Sequence, residues 1–184
     1  IRMGGLVGCI DARNSTISNC LNEGTVHAST KSTTAPQYIG GLVGYVTNAG
    51  RVGTKIENSL NIGTVTSTHA TPSNKDSIVG YANTATINNL YSTSATDTTK
   101  SGFNLVSVDD ITGEDAKTTL SGFDFLTTWV ARENNTPTLD FENSGAYVIR
   151  NLADLNKIVE MSKTTTFAGE TIKLAADIVV NDGD

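Results

Sequence analysis

The sequence predicts an all-β fold, a right-handed β-helix or β-solenoid of about three coils, and three observations lead there. Gly4-Gly5-Leu6-Val7-Gly8 recurs as Gly40-Gly41-Leu42-Val43-Gly44 and, weakened, as Asp76-Ser77-Ile78-Val79-Gly80, at a step of 36 residues. A second block follows each copy: Ile17 to Val26, Ile56 to Val65, and the decayed Ile87-Asn88-Asn89-Leu90-Tyr91-Ser92. Composition agrees, because apolar residues are 38%, charged residues only 17%, and the Thr, Ser, Asn and Gly that fill the remainder favour turns and short strands.

Taken in order, the glycine block is too short and too glycine-rich for a helix but has the length of a strand with a turn attached. By the period of two, Leu6, Gly8 and Ile10 share one face, as do Leu42, Gly44, Val46 and Ile78, Gly80, Ala82. That face is expected to point inward, since three stacked copies bury a continuous apolar column that one copy cannot. In the second block Asn19, Asn58 and Asn89 match, as do Asn22 and Asn61, each where the chain should bend. Asparagine tolerates left-handed backbone angles and bonds to nearby backbone, so stacked asparagines are expected to satisfy successive turns. Polar stretches of variable length, 27–37, 47–55 and 66–75, read as loops and as the place where contact residues would sit.

The pattern breaks after about residue 100. Over 109–120 a short helix is predicted, with Asp110 or Thr112 as cap, Glu114 and Asp115 in the first turn and Lys117 near the end. The following segment holds the only Trp, Trp129, and three of five Phe, Phe123, Phe125 and Phe141, which reads as an aromatic cap over the open apolar end of the array. A second pattern then begins. Tyr147 to Arg150 reads as a strand, Asn151 to Lys163 as a helix with Leu152, Leu155, Ile158, Val159 and Met161 at helical spacing, and 167–169 and 172–180 as renewed strand. The expected organisation is 1–100 as β-solenoid repeats, 101–145 as capping or terminator segment, and 146–184 as the first part of a following unit with a short helix. The opening on Ile1 beside the first motif reads as a segment of a longer chain.

The Gly-Gly-Leu-Val-Gly block followed by Ile-x-Asn-Cys-x-Asn-x-Gly-x-Val resembles the GLUG repeat of bacterial surface proteins, over roughly residues 1 to 95. Such repeats occur in adhesin-like proteins and in the non-catalytic region of immunoglobulin A proteases. The segment around Phe123, Trp129 and Thr136 to Leu139 looks like the terminator that follows such arrays. This resemblance implies a β-helix in a secreted, cell-surface protein and carries over no catalytic residue. Ser59 and Leu90 stand where the motif has Cys20, which argues against a chemical role for that position.

Function classes narrow accordingly. The net charge of −6 with scattered basic residues argues against a nucleic-acid partner. No apolar run has the roughly 20 residues that a membrane helix needs. His27 and His69 read as surface loop residues, and no metalloprotease motif contains them. Cys9 and Cys20 lie in predicted neighbouring strands, where buried free thiols are favoured over a disulfide. Asp109, Asp110, Glu114 and Asp115 are better explained by helix capping than as glycosidase carboxylates. Asn181 to Asp184 reads as a turn, since a calcium loop needs further ligands at fixed spacing. Asn14 and Asn134 begin glycosylation-type triplets that chance supplies in a chain this rich in Asn and Thr. Thr25, Thr64 and Ala95 form only a partial column, short of an ice-binding face. No catalytic, cofactor-binding or metal-binding residue is therefore assigned, and no cofactor. The expected function is a non-enzymatic structural or adhesive module, a stalk, spacer or binding surface, whose partners would be host or bacterial surface proteins or glycans. The alternatives are a carbohydrate-binding or polysaccharide-cleaving β-helix, or a spacer within a surface protease.

Overall fold

The computed structural model describes residues 1–29, 36–47, 52–68, 74–82, 85–94, 102–143 and 145–179. Strands dominate. The first repeat supplies β1 (Arg2–Gly4), β2 (Val7–Ile10), β3 (Thr16–Ser18), β4 (Leu21–Asn22) and β5 (Val26–Ala28). The second supplies β6 (Tyr38–Gly40), β7 (Val43–Val46), β8 (Lys55–Asn61) and β9 (Val65–Ser67), and the third β10 (Asn74–Asp76), β11 (Val79–Ala82) and β12 (Thr86–Ser92). Like pairs with like, in parallel. Arg2 lies opposite Tyr38 and Tyr38 opposite Asn74; Val7 lies opposite Val43 and Val43 opposite Val79. In the second block Ile17 aligns with Ile56 and Ile56 with Ile87. The aligned residues of each repeat sit side by side in a shared sheet, as the repeat spacing predicts.

The glycine block is two strands, not one. It turns a corner between β6 and β7, where the amides of Leu42 and Val43 both donate to the Ile78 carbonyl, at 2.8 and 3.1 Å. Alternation therefore does not run through the block: Leu42 and Val43 are adjacent and both fully buried. β7 lies so close to the first repeat that a Cβ on Gly44 would lie 2.6 Å from the Gly8 carbonyl oxygen of β2 and from the Met3 amide nitrogen of β1. A side chain does not fit in that gap. The core here gathers Ile10, Leu42, Val43, Val46, Ile56, Ile78, Val79 and Leu90. Leu6 departs from the expected inward column, being 45% exposed where its counterparts Leu42 and Ile78 are 0% and 1%.

Parallel pairing continues past residue 100, since β13 (Phe103–Leu105) joins β12 and Phe103 packs on the same core. The predicted helix over 109–120 is divided: a 3-10 turn at Asp109–Ile111 and a single-turn helix, α1 (Asp115–Thr119), separated by Gly113 at φ +66°. A glycine in the left-handed region ends the first turn before the second begins. The antiparallel pair β14 (Trp129–Arg132) and β15 (Asn135–Leu139) follows.

The aromatic segment packs against the side of the repeats. Ile111, Ala116, Leu120, Phe123, Phe125 and Trp129 form one cluster with Leu60 and Tyr91, and Leu21 packs against it. Leu21, Leu60 and Tyr91 are register partners, one from each repeat, so the segment lies alongside the stack. Gly122 fits against Asn89 of the third repeat, and Arg132 approaches Glu23 of the first at 3.8 Å. Phe141, counted with these aromatics, is 80% exposed and takes no part.

Beyond it, β16 (Ala146–Ile149), α2 (Leu152–Ser162) and β17 (Thr171–Leu174) make a parallel pair joined by a helix. Asn151 caps α2 by accepting from the Asp154 amide at 2.9 Å. Ile158 is buried with Leu126 and Ile149, and Leu155 and Met161 pack against them, but Leu152 and Val159 are exposed. Strand character is narrower than predicted: 167–169 turn, and of 172–180 only the part within β17 pairs, with Val180 outside the described residues. Among the described residues no helix is long and apolar enough to cross a membrane.

Candidate interaction surface

The bends of the second block are built by asparagine. Asn19, Asn58 and Asn89 have φ of 51°, 49° and 49°, a conformation that costs other L residues about 1–2 kcal/mol. The Asn89 amide nitrogen donates to Asn58 Oδ1 at 3.0 Å. Three residues on, Asn22 Nδ2 donates both to Asn61 Oδ1 at 2.7 Å and to the Gly24 carbonyl, while Asn61 Nδ2 bonds the Gly63 carbonyl and Ser92 Oγ the Ser94 carbonyl. The same local bond is made at every level, which is why these amides are structural and not a row awaiting a ligand.

The thiols fit this pattern. Cys20 Sγ contacts the Ser18 carbonyl at 3.2 Å, as its counterpart Ser59 Oγ bonds the Glu57 carbonyl at 2.8 Å. Burial raises the Cys20 pKa, opposed by hydrogen bonds from Ser59 and Ser18. Cys9 sits on β2, where Arg2 Nη1 reaches its sulfur at 3.4 Å. Both are free thiols, and both are half-buried where full burial was expected.

His27 stands on β5, not in a loop, and its Nδ1 pairs with Thr66 Oγ1 of β9 at 2.8 Å; Thr25 and Thr64 hydroxyls meet beside it at 3.0 Å. His69, Ala95, Pro72 and Asn181 to Asp184 lie outside the described residues, as do 30–35, 48–51 and 69–73 of the predicted contact loops. Asn14 and Asn134 occupy exposed turns with positive φ. Asp110 and Ser107 bond each other's backbone amides reciprocally around the 3-10 turn, so Asp110 sits inside that turn and is not the cap expected of it. No side chain caps α1, and Thr112 bonds back to the Val108 carbonyl.

Two features had no expectation attached. Tyr38, Tyr45 and Tyr81 form a half-exposed cluster, with ring centroids 4.4 to 5.7 Å apart, and the Arg2 guanidinium lies 4.7 Å over Tyr45. The signal was present: Tyr45 and Tyr81 occupy one register position two repeats running, with Cys9 as the first-level partner. The second feature is a charged joint. Asp140, buried, pairs with Arg150, and Lys117 is shared by Glu114 at 2.9 Å and Asp154 at 3.6 Å, tying 109–143 to the strand and helix that follow. A cleft of about 260 Å³ is lined by Glu114, Lys117 and Asp154, already engaged in that joint, and by Lys157. Among the described residues, no three or more His, Cys, Asp or Glu side chains are grouped to hold a metal ion.

No family model, no curated protein and no solved structure matches this chain.

Proposed function

We propose that this chain is a non-enzymatic structural or adhesive module of a large secreted bacterial cell-surface protein. In this reading residues 1–100 wind as a right-handed β-solenoid of GLUG type, 101–145 are its terminator segment, braced along the side of the repeats, and 146–184 open a following unit. The observation that carries it is the level-by-level parallel register of three repeats, reinforced by the asparagine bonds between them. A stack of this kind transmits position along its axis and displays side chains in fixed rows, which suits a stalk or a binding face. Protease treatment of intact source cells should release peptides of this chain; recovery only after lysis would overturn the surface reading.

The tyrosine cluster favours a second reading, in which that face binds glycan through aromatic and guanidinium contacts. A panel of host and bacterial glycans separates the cases. Binding lost in Tyr81→Ala would support the second reading, and release of reducing ends would overturn the non-enzymatic assignment altogether.

A further inference from the structure

Where 140–143 meets β17, an amine, a carboxamide and a carboxylate converge. Lys173 Nζ lies 3.1 Å from Asn143 Oδ1. The Asn143 amide nitrogen is held in turn by both oxygens of Asp140, at 3.1 and 3.3 Å, and the Asn143 backbone amide donates to the same carboxylate at 3.0 Å. Asp140 is itself fixed by the Arg150 guanidinium, which also bonds the Phe125 carbonyl. Each partner is held from elsewhere in the fold: Lys173 by its pairing with Val148 in the parallel ladder, Asn143 by Asp140, Asp140 by Arg150.

We propose that Lys173 and Asn143 condense into an intramolecular amide, with Asp140 carrying the proton. The bond that forms joins Lys173 Nζ to Asn143 Cγ; the bond that breaks is Cγ to Nδ2. The exposed Lys173 ammonium gives two protons to solvent as it attacks; Asp140, which holds Nδ2, relays one proton to that nitrogen so that it leaves as ammonia, and a second from solvent makes it ammonium ion. No oxidant, reductant or cofactor enters. Transamidation between free side chains is slow because the groups must meet and stay aligned, and holding them in contact supplies the large effective concentration that such reactions require. The carboxylate is on the leaving nitrogen, where proton delivery speeds departure. Lys173 is exposed, so ammonia has a direct path to solvent. The product would close a loop whose ends are 30 residues apart and join the segment beside the repeats to β17 covalently. The inference does not rest on a surface location; it rests on this geometry alone.

Intact-mass measurement of the purified full chain tests it, after incubation in buffer with circular dichroism confirming the fold. The expected mass is lower than that of the sequence by one ammonia, with a branched peptide joining the Lys173 and Asn143 fragments after digestion. Lys173→Arg and Asn143→Asp alter exposed or half-exposed groups and should fold, and each should keep its full mass. A folded wild-type chain that retains its full mass would overturn the proposal. So would loss of ammonia that persists in Lys173→Arg, since that outcome assigns the chemistry to succinimide formation at Asn143.

Discussion

Asn58 concentrates two roles that can be separated by substitution. Its backbone is left-handed and its Oδ1 accepts from Asn89. Asn58→Ala loses both and should lower stability by about 2–3 kcal/mol, whereas Asn58→Gly keeps the backbone geometry and should lose only about 1. Urea denaturation of the two variants measures the difference, and equal losses would show that the backbone angle is immaterial. Cys20 is the converse case. Ser59 makes the same bond one repeat on, so Cys20→Ser should be within about 1 kcal/mol of wild type. Its pKa is raised on folding, so as pH climbs through the thiol range the unfolded chain ionises first and the folded state loses stability. Cys20→Ser should remove that alkaline loss, seen as a flatter urea midpoint against pH. The asparagine bends were legible because few residues adopt this conformation. The exposure of Leu6 was not, because it depends on what lies beside the first repeat.

At the scale of the element, two glycines answer different demands. Gly44→Ala would place a methyl 2.6 Å from backbone atoms of two facing strands, which cannot yield as a side chain does, and should cost about 3 kcal/mol or more. Gly113→Ala meets nothing within 4 Å and carries only its φ of +66°, for a cost of about 1–2 kcal/mol. Thermal melts of both check that close approach at Gly44 costs more than backbone freedom at Gly113. Leu42→Asp and Leu6→Asp form a second pair. The first puts a charge in a fully buried site and should abolish the cooperative melt; the second, at a site 45% exposed, should leave the fold intact. Elements were found by the repeat, but their length was overestimated, since a corner at Gly41 and Leu42 breaks the alternation used to orient them. The same period could have found the lateral column, since Leu21, Leu60 and Tyr91 are register partners that all pack on the aromatic segment.

For the whole molecule, the aromatic segment and the repeats share one apolar cluster, so they should unfold together. Leu60→Ala removes a fully buried side chain from that junction and should cost about 2–5 kcal/mol. Trp129 emission reports on the segment and far-ultraviolet circular dichroism on the strands, and the two should move as one transition in wild type and variant alike. Separate midpoints would show independent units. Parallel pairing was inferable from spacing alone. The place of the aromatic segment was not, because hydrophobic composition says that a surface is covered and not which one.

That sideways placement gives the segment the character of a gauge. It meets one residue from each of three tiers: Arg132 approaches Glu23, Gly122 lies against Asn89, and Leu60 belongs to its apolar cluster. Arrays of near-identical units gain and lose copies readily when genes recombine, and an end plug would accept any number. A side brace does not: deleting a tier that carries one of these footholds would leave the segment facing a different partner there.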